Sequence, residues 1–282
     1  MAYKSILTVI TNAAANAGQL DAAIALARRE DAHLDVLCLG IDHSQTGYYY
    51  IGAAPLAPVI LQETLDQAQN EARAAETAVR QRLQAEDIRW AIDTAISQVG
   101  ALGPEVGRLA RFADLVLVPQ PLEKGAVAEQ EQILEAGLFD GRAPVLTLPS
   151  SVRDAAYGSR IAIAWNQSDE AMAAVRAALP MLKAANYVDV AVIAPPSHGP
   201  ERSDPGGMLS QYLARHGVRC EISVLARTLP RVSDQLCRHI AEQNIDLLVM
   251  GAYGHSRFRE AILGGTTREM LEIAKVPVLS AH

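Results

Sequence analysis

The chain has 282 residues, half of them hydrophobic and one fifth charged, with a mean hydropathy of +0.08. That composition excludes a disordered chain, a collagen and a coiled coil, and the length suits about two domains. The net charge of −7 is unevenly placed: residues 1–150 carry 11 Lys and Arg against 19 Asp and Glu, while residues 151–282 carry 14 against 13. Neither half offers the basic face that a nucleic-acid binder needs, and the second is the better host for a phosphate.

In chain order, the first apolar run, Ile6–Ile10, meets Thr11 and Asn12 at once, which makes it too short for an export signal and fits a strand. A second strand is expected at Leu34–Leu39. The longest uncharged stretch, Gly47–Leu61, holds Pro55, Pro58 and three adjacent tyrosines, Tyr48–Tyr50, so it cannot span a membrane as a helix. Three neighbouring aromatics on a loop cannot all point inward. They form either a partner-contact patch or lid, or a loop packed on its own domain. A long helix near Val59–Ala85 follows, then strands near Ile88–Asp93, Leu115–Val118 and Val145–Leu148. Pro149–Ser159 reads as a linker.

The chain then repeats itself. Strands fit Ile161–Trp165, Tyr187–Ile193, Arg219–Leu225, Asp246–Met250 and Pro277–Ala281, with helical segments between them. Ala113-Asp114-Leu115-Val116 matches Ile245-Asp246-Leu247-Leu248, and Ala143-Pro144-Val145-Leu146 matches Val276-Pro277-Val278-Leu279. Continuous apolar strands alternating with helices indicate parallel sheets covered on both faces. The expected architecture is therefore α/β, with one fold written twice, over 1–150 and 151–282.

The richest chemical signal follows the fourth strand of the second copy. Gly251-Ala252-Tyr253-Gly254 is followed, nine residues on, by Gly264-Gly265-Thr266. Glycines after a parallel strand let backbone amides approach an anion, and a helix beginning near Thr266 aims its positive end at the same place. His255, Arg257 and Arg259 add cationic donors. The plainer alternative is a tight turn at Gly251 and Gly254, with Thr266 and Glu269 forming a capping box.

This spacing, after Asp-Leu-Leu-Val-Met and before Val-Pro-Val-Leu, resembles the universal stress protein family over Arg160–His282, and more weakly over Ser5–Leu148. The resemblance implies two tandem doubly wound five-stranded sheets of order 3-2-1-4-5, whose last strands pair antiparallel as an internal pseudo-dimer. It also implies a site for ATP or a related nucleotide, with or without Mg²⁺, in the second copy. Carried over, its residues are Asn166, Val192 or its neighbour Ile193, Gly251, Gly254, Gly264 and Gly265, to which the loop adds His255, Arg257 and Thr266. Two departures stand out: Asn166 where binders usually have Asp, and Gly265 where a hydroxyl usually follows the third glycine. In the first copy Pro119-Gln120-Pro121 replaces the glycines, and five carboxylates against one lysine between Gln120 and Gly141 repel phosphate. No nucleotide is expected there.

The expected function is a cytoplasmic stress-response binding protein whose nucleotide state alters its interaction with a protein partner, and two such chains associating further is open. The alternatives are a scaffold working through Tyr48–Tyr50, or a slow ATPase. Catalytic machinery is not expected. Ser168 and Asp169 have no Gly-x-Ser-x-Gly elbow, Ser168 suits a helix cap, and no Walker lysine follows the glycines. Nor is a metal site expected. His33, His43, His198, His216, His239 and His282 lack ligand spacing and read as surface residues, and Cys38, Cys220 and Cys237 read as reduced thiols.

Overall fold

The computed structural model describes residues 2–44, 57–152, 155–195, 203–252 and 265–282; of residues 57–60 it describes the backbone alone. The Tyr48–Tyr50 segment lies outside the described residues. The chain divides into two compact units, residues 2–119 with 127–143, and residues 120–126 with 144–282. Among the described residues, no helix is long and apolar enough to cross a membrane.

The first unit holds strands β1 (Ser5–Ile10), β2 (His33–Asp42), β3 (Arg89–Gln98) and β4 (Leu115–Pro119) in the parallel order β3-β2-β1-β4. β1 and β4 are almost wholly buried, as continuous apolar runs covered on both faces should be. β2 and β3 pair over ten residues, from His33↔Arg89 to Asp42↔Gln98, and so run past the expected ends at Leu39 and Asp93. Helix α1 (Ala17–Glu30) ends on Asp31 in the left-handed region, whose amide bonds back to the helix carbonyls. Helix α2 (Ala57–Leu83) buries Ala68, Ala72, Ala75, Val79 and Leu83, a stripe of helical period. Small residues let it lie directly on β2: a Cβ at Gly40 would fall 2.1 Å from the Ala68 carbonyl oxygen. Helix α3 (Leu102–Ala110) and helix α4 (Ala128–Glu135), the latter running into a π-helical turn at Ala136–Asp140, complete the unit.

The second unit has six strands: β5 (Val145–Leu148), β6 (Arg160–Ala164), β7 (Tyr187–Ile193), β8 (Glu221–Leu225), β9 (Leu247–Gly251) and β10 (Val278–Ala281). Five are parallel in the order β10-β9-β6-β7-β8, which is 3-2-1-4-5 when counted within the repeat. β5 adds to the edge antiparallel to β10, with Val278↔Thr147, Leu279↔Leu146 and Ser280↔Val145 opposed. The expected pairing of Val145–Leu148 with Val278–Ala281 is thus present. Helices α5 (Asp169–Ala184), α6 (Gly207–Arg215), α7 (Val232–Glu242) and α8 (Gly265–Ile273) connect the strands.

The matched sequence motifs do the same work in both units. The Asp114 carboxylate accepts the backbone amides of Lys4 and Ser5 at 2.7 and 3.1 Å, and so anchors the start of β1. Asp246 accepts those of Gly158, Ser159 and Arg160 at 2.9–3.1 Å, and so anchors the start of β6. A short polar residue just before the fourth strand therefore satisfies the amides that precede the first.

Candidate functional site

In the second unit the order reverses between β6 and β9: β6 pairs with β7 on one side and with β9 on the other. Connections leave in opposite directions there, so a crevice opens beyond the strand ends, the usual place for a ligand in an open α/β sheet. A cavity of about 270 Å³ occupies that position. Its floor is apolar, made by Ala164 of β6, Ala191 and Ile193 of β7, Met250 of β9, and Val232 and Leu236 of α7, with Trp165 beside them. The period of two in β7 selects residues 191 and 193, and the four-residue step in α7 selects 232 and 236. The polar rim is Asn166, Ser168, Gly251 and the start of α8, Gly265 to Thr267.

Each rim residue has a local reason for its place. Ser168 is the α5 cap, its Oγ accepting the Ala171 amide at 3.1 Å. Asn166 is exposed and its Oδ1 accepts the Ser168 amide at 3.1 Å. Backbone amides only donate, so the carboxamide orientation is fixed and Nδ2, a donor, is left for the crevice. Gly251 is required by packing: a Cβ there would lie 2.5 Å from the Ala171 nitrogen and 2.9 Å from Glu170 Cβ, where α5 crosses the end of β9. At Gly265, by contrast, a Cβ would meet nothing within 4 Å among the described residues.

The capping box considered for α8 is not formed. Thr266 is the second residue of the helix, and Glu269 accepts a hydrogen bond from Ser233 Oγ of α7. The first turn of α8 contains no acidic residue. Its positive end therefore opens on the cavity without a carboxylate of its own.

Asn166, Gly251, Gly265 and Thr266 therefore share one cavity. Val192 is buried on β7 but faces the other side of the sheet, close to Gly206, while its neighbour Ile193 faces the cavity. Gly254, His255, Arg257, Arg259 and Gly264 lie outside the described residues.

Sequence reasoning missed the foundation of the α7 wall. Below Ala191 and Leu236, Asp189 of β7 meets His239 of α7, with Oδ2 to Nε2 at 2.6 Å, and Ser223 of β8 donates to Asp189 Oδ1 at 2.7 Å. Asp189 is 0% and His239 3% exposed, so this histidine is not a surface residue. The available signal was periodic: residues 189, 191 and 193 share one strand face, and 232, 236 and 239 share one helix face. Among the described residues no cluster of three His, Cys, Asp or Glu suits a metal. All three cysteines are free; burial pushes the Cys38 thiol up to about 12 and raises that of Cys237.

The model of the Universal stress protein family matches residues 159–282. A universal stress protein of Synechocystis, Slr1230, is 34% identical over 74 residues, which is 26% of this chain and 25% of that protein. The match thus spans about a quarter of that relative's length. Among solved structures, a universal stress protein from Archaeoglobus fulgidus superposes with a TM-score of 0.70 at 14% identity, over 98% of this chain and 97% of that one. A putative universal stress protein from Pseudomonas aeruginosa superposes with a TM-score of 0.57 at 15% identity, over 98% and 92%. These structural likenesses establish the shared fold. Residues 159–282, in which sequence and fold agree, therefore form a universal stress protein domain.

Proposed function

We propose that the second unit is a nucleotide-binding module of ATP type, and that occupancy alters the surface it offers to a protein partner in a stress response. The observation that carries this is the cavity at the β6/β9 switch point, with an apolar floor at one end and at the other the start of α8, whose first turn has no acidic residue. The residues fit such a ligand in kind. An apolar floor suits a base, the Asn166 Nδ2 donor suits a ribose or ring acceptor, and Gly265 leaves room for phosphate oxygens at the amides of α8. A cavity of 270 Å³ lies just below the usual range of about 300–1,000 Å³, which suits base and ribose inside and phosphates at the opening. Mg²⁺, where present, would neutralise phosphate charge.

The first unit is proposed to be a degenerate second copy, making the chain a tandem protein in which β5 and β10 form the internal counterpart of a dimer seam. The matched anchors Asp114 and Asp246 support that reading.

The test is thermal unfolding with and without ATP and Mg²⁺. A ligand at 100 times its Kd adds about 2.7 kcal/mol to the stability of the form it binds. The expected result is a rise in melting temperature that Gly265→Asp abolishes, because a carboxylate then occupies the start of α8. No rise at millimolar ATP, or an equal rise in that variant, overturns the proposal.

A further inference from the structure

We infer that the outer edge of β8 is a docking site for an extended segment of a partner protein, which adds to the sheet as an antiparallel strand and carries alternate apolar side chains between acidic ends. The inference goes beyond nucleotide binding and does not depend on it. β8 is the last strand of the second unit's sheet, and among the described residues it pairs with β7 alone, from Asp189↔Glu221 to Ile193↔Leu225. Within a strand, the amide and carbonyl of one residue point to the same side, and those of the next residue to the other. The Leu225 carbonyl accepts the Ala194 amide at 2.9 Å, so residues 221, 223 and 225 turn their backbone toward β7. Ile222 and Val224 therefore turn theirs outward, and offer an amide and a carbonyl each at the edge.

The same two residues present apolar surface. Ile222 is 37% and Val224 53% exposed, on the face they share with Val190 and Val192 of β7. The strand is also held firmly enough to act as a template: Ser223 Oγ donates to Asp189 at 2.7 Å, and the Tyr187 hydroxyl donates to Glu221 at 3.1 Å. Outward backbone and alternate apolar side chains together suit an added strand rather than a helix.

Charge selects the occupant. Arg219 and Arg227 flank β8, both are exposed, and among the described residues neither meets a carboxylate; the Arg227 guanidinium donates to the Pro230 carbonyl. The neighbouring Arg231 and Arg238 are instead paired with Asp234 and Glu242. A second copy of this chain fits poorly. In the antiparallel register that covers all of β8, Ile222 would meet Val224, but Arg219 of one copy would oppose Arg227 of the other at both ends. A segment with acids at those places gains from both arginines. On β3, the outer strand of the first unit, Arg89 is already bound to Asp31 at 2.6 Å.

The probe is the fluorescein-labelled peptide Asp-Thr-Ser-Val-Thr-Val-Ser-Thr-Asp, titrated into the ¹⁵N-labelled full chain without nucleotide. Its valines fall opposite Ile222 and Val224, and its acids opposite Arg219 and Arg227. Fluorescence anisotropy should show it binding about tenfold more tightly than the same peptide with lysine ends, and the gap should narrow in high salt. Hydrogen exchange of the Ile222 and Val224 amides should slow in its presence. Val224→Pro removes an outward amide that the β7 ladder does not use, and should weaken binding about tenfold or more. Arg219→Glu with Arg227→Glu, both at exposed positions, should reverse the preference between the two peptides, and carries the test should Val224→Pro fail to fold. The proposal is overturned by no anisotropy change at millimolar peptide, by equal affinity for the lysine-ended form, by protection at Arg89–Gln98 in place of β8, by unchanged affinity in a folded variant, or by a concentration-dependent dimer of the chain that Val224→Pro abolishes.

Discussion

α4 follows β4 and α8 follows β9, strands that pair parallel with β1 and β6 respectively, yet the two helix starts have opposite characters. α4 carries Glu129 and Glu131 in its first turn, and His43, just past the end of β2, lies 3.8 Å from the Glu129 carboxylate. α8 has no acid there, begins Gly265-Thr266-Thr267, and sends its nearest carboxylate, Glu269, to Ser233. The first unit thus supplies its own anions to a helix end, while the second has no acid in the first turn of α8, beside a cavity. At the β6/β9 switch point, where the cavity lies, a few residues at the helix start decide whether an outside anion is welcome.

The same contrast recurs inside the sheets, and there it is open to a larger test. Asp35 of β2 and Asp189 of β7 are the third residues of equivalent strands. Asp35 is part-exposed and takes a hydrogen bond from Ser5, whereas Asp189 is fully buried against His239. His239→Leu leaves a buried carboxylate without its partner and should cost about 3–5 kcal/mol in urea unfolding. Asp35→Asn, at a part-exposed site, should stay within about 0.5 kcal/mol. Replacing both Asp189 and His239 by apolar residues of similar size should recover most of the loss. A small effect in the single variant would mean that water reaches the pair, and that the α7 wall is looser than its geometry shows.

A second, smaller test separates two glycines that look alike in sequence. Gly251→Ala drives a methyl into the Ala171 nitrogen and should cost about 1–3 kcal/mol through overpacking. Gly265→Ala meets nothing among the described residues and should raise stability by up to about 1 kcal/mol, since alanine loses less backbone freedom in a helix. Paired melting curves check both. Equal losses would show that the two glycines share one role, and the contrast between a packing glycine and an open one would fall.

The pattern of strands was legible in the sequence because buried parallel strands leave long apolar runs, and the repeat was legible because Asp114 and Asp246 must each anchor a first strand. The place of the crevice followed from topology, so Asn166, Gly251 and Gly265 could be named together. The reason for Gly251 could not be read there, because a glycine that admits a helix and one that admits a phosphate look the same in one dimension. His239 was misjudged for a related reason. Its carboxylate partner is 50 residues away, and only the joint periods of β7 and α7 bring them into register. The capping box Thr266-x-x-Glu269 failed because Ser233, from another helix, competes for the same carboxylate.

The smallest expected effect lies in the first unit, whose α1 and α2 are joined at the surface by charge. Arg82 bonds Asp21 of α1 and Glu86, and Arg28 also reaches Glu86. The hydrogen bond from Arg82 holds the Glu86 carboxyl below the usual glutamate range, and Lys4 does the same for Asp31. A carboxyl whose pKa is lowered by folding stabilises the fold above its unfolded value, and that contribution is lost as pH falls through the folded one. Asp35 runs the other way: burial raises it, so its ionisation weakens the fold as pH rises through its range. Hydrogen exchange in peptides from α1 and α2 should therefore quicken below the ordinary glutamate range, while Glu86→Gln exchanges faster at neutral pH and converges with the parent chain in acid. The arginine ends of these pairs are exposed to water and salt, so the effect should shrink at high ionic strength. If the two curves stayed parallel at every pH, Glu86 would contribute by its shape alone, and charge would not be what joins these two helices.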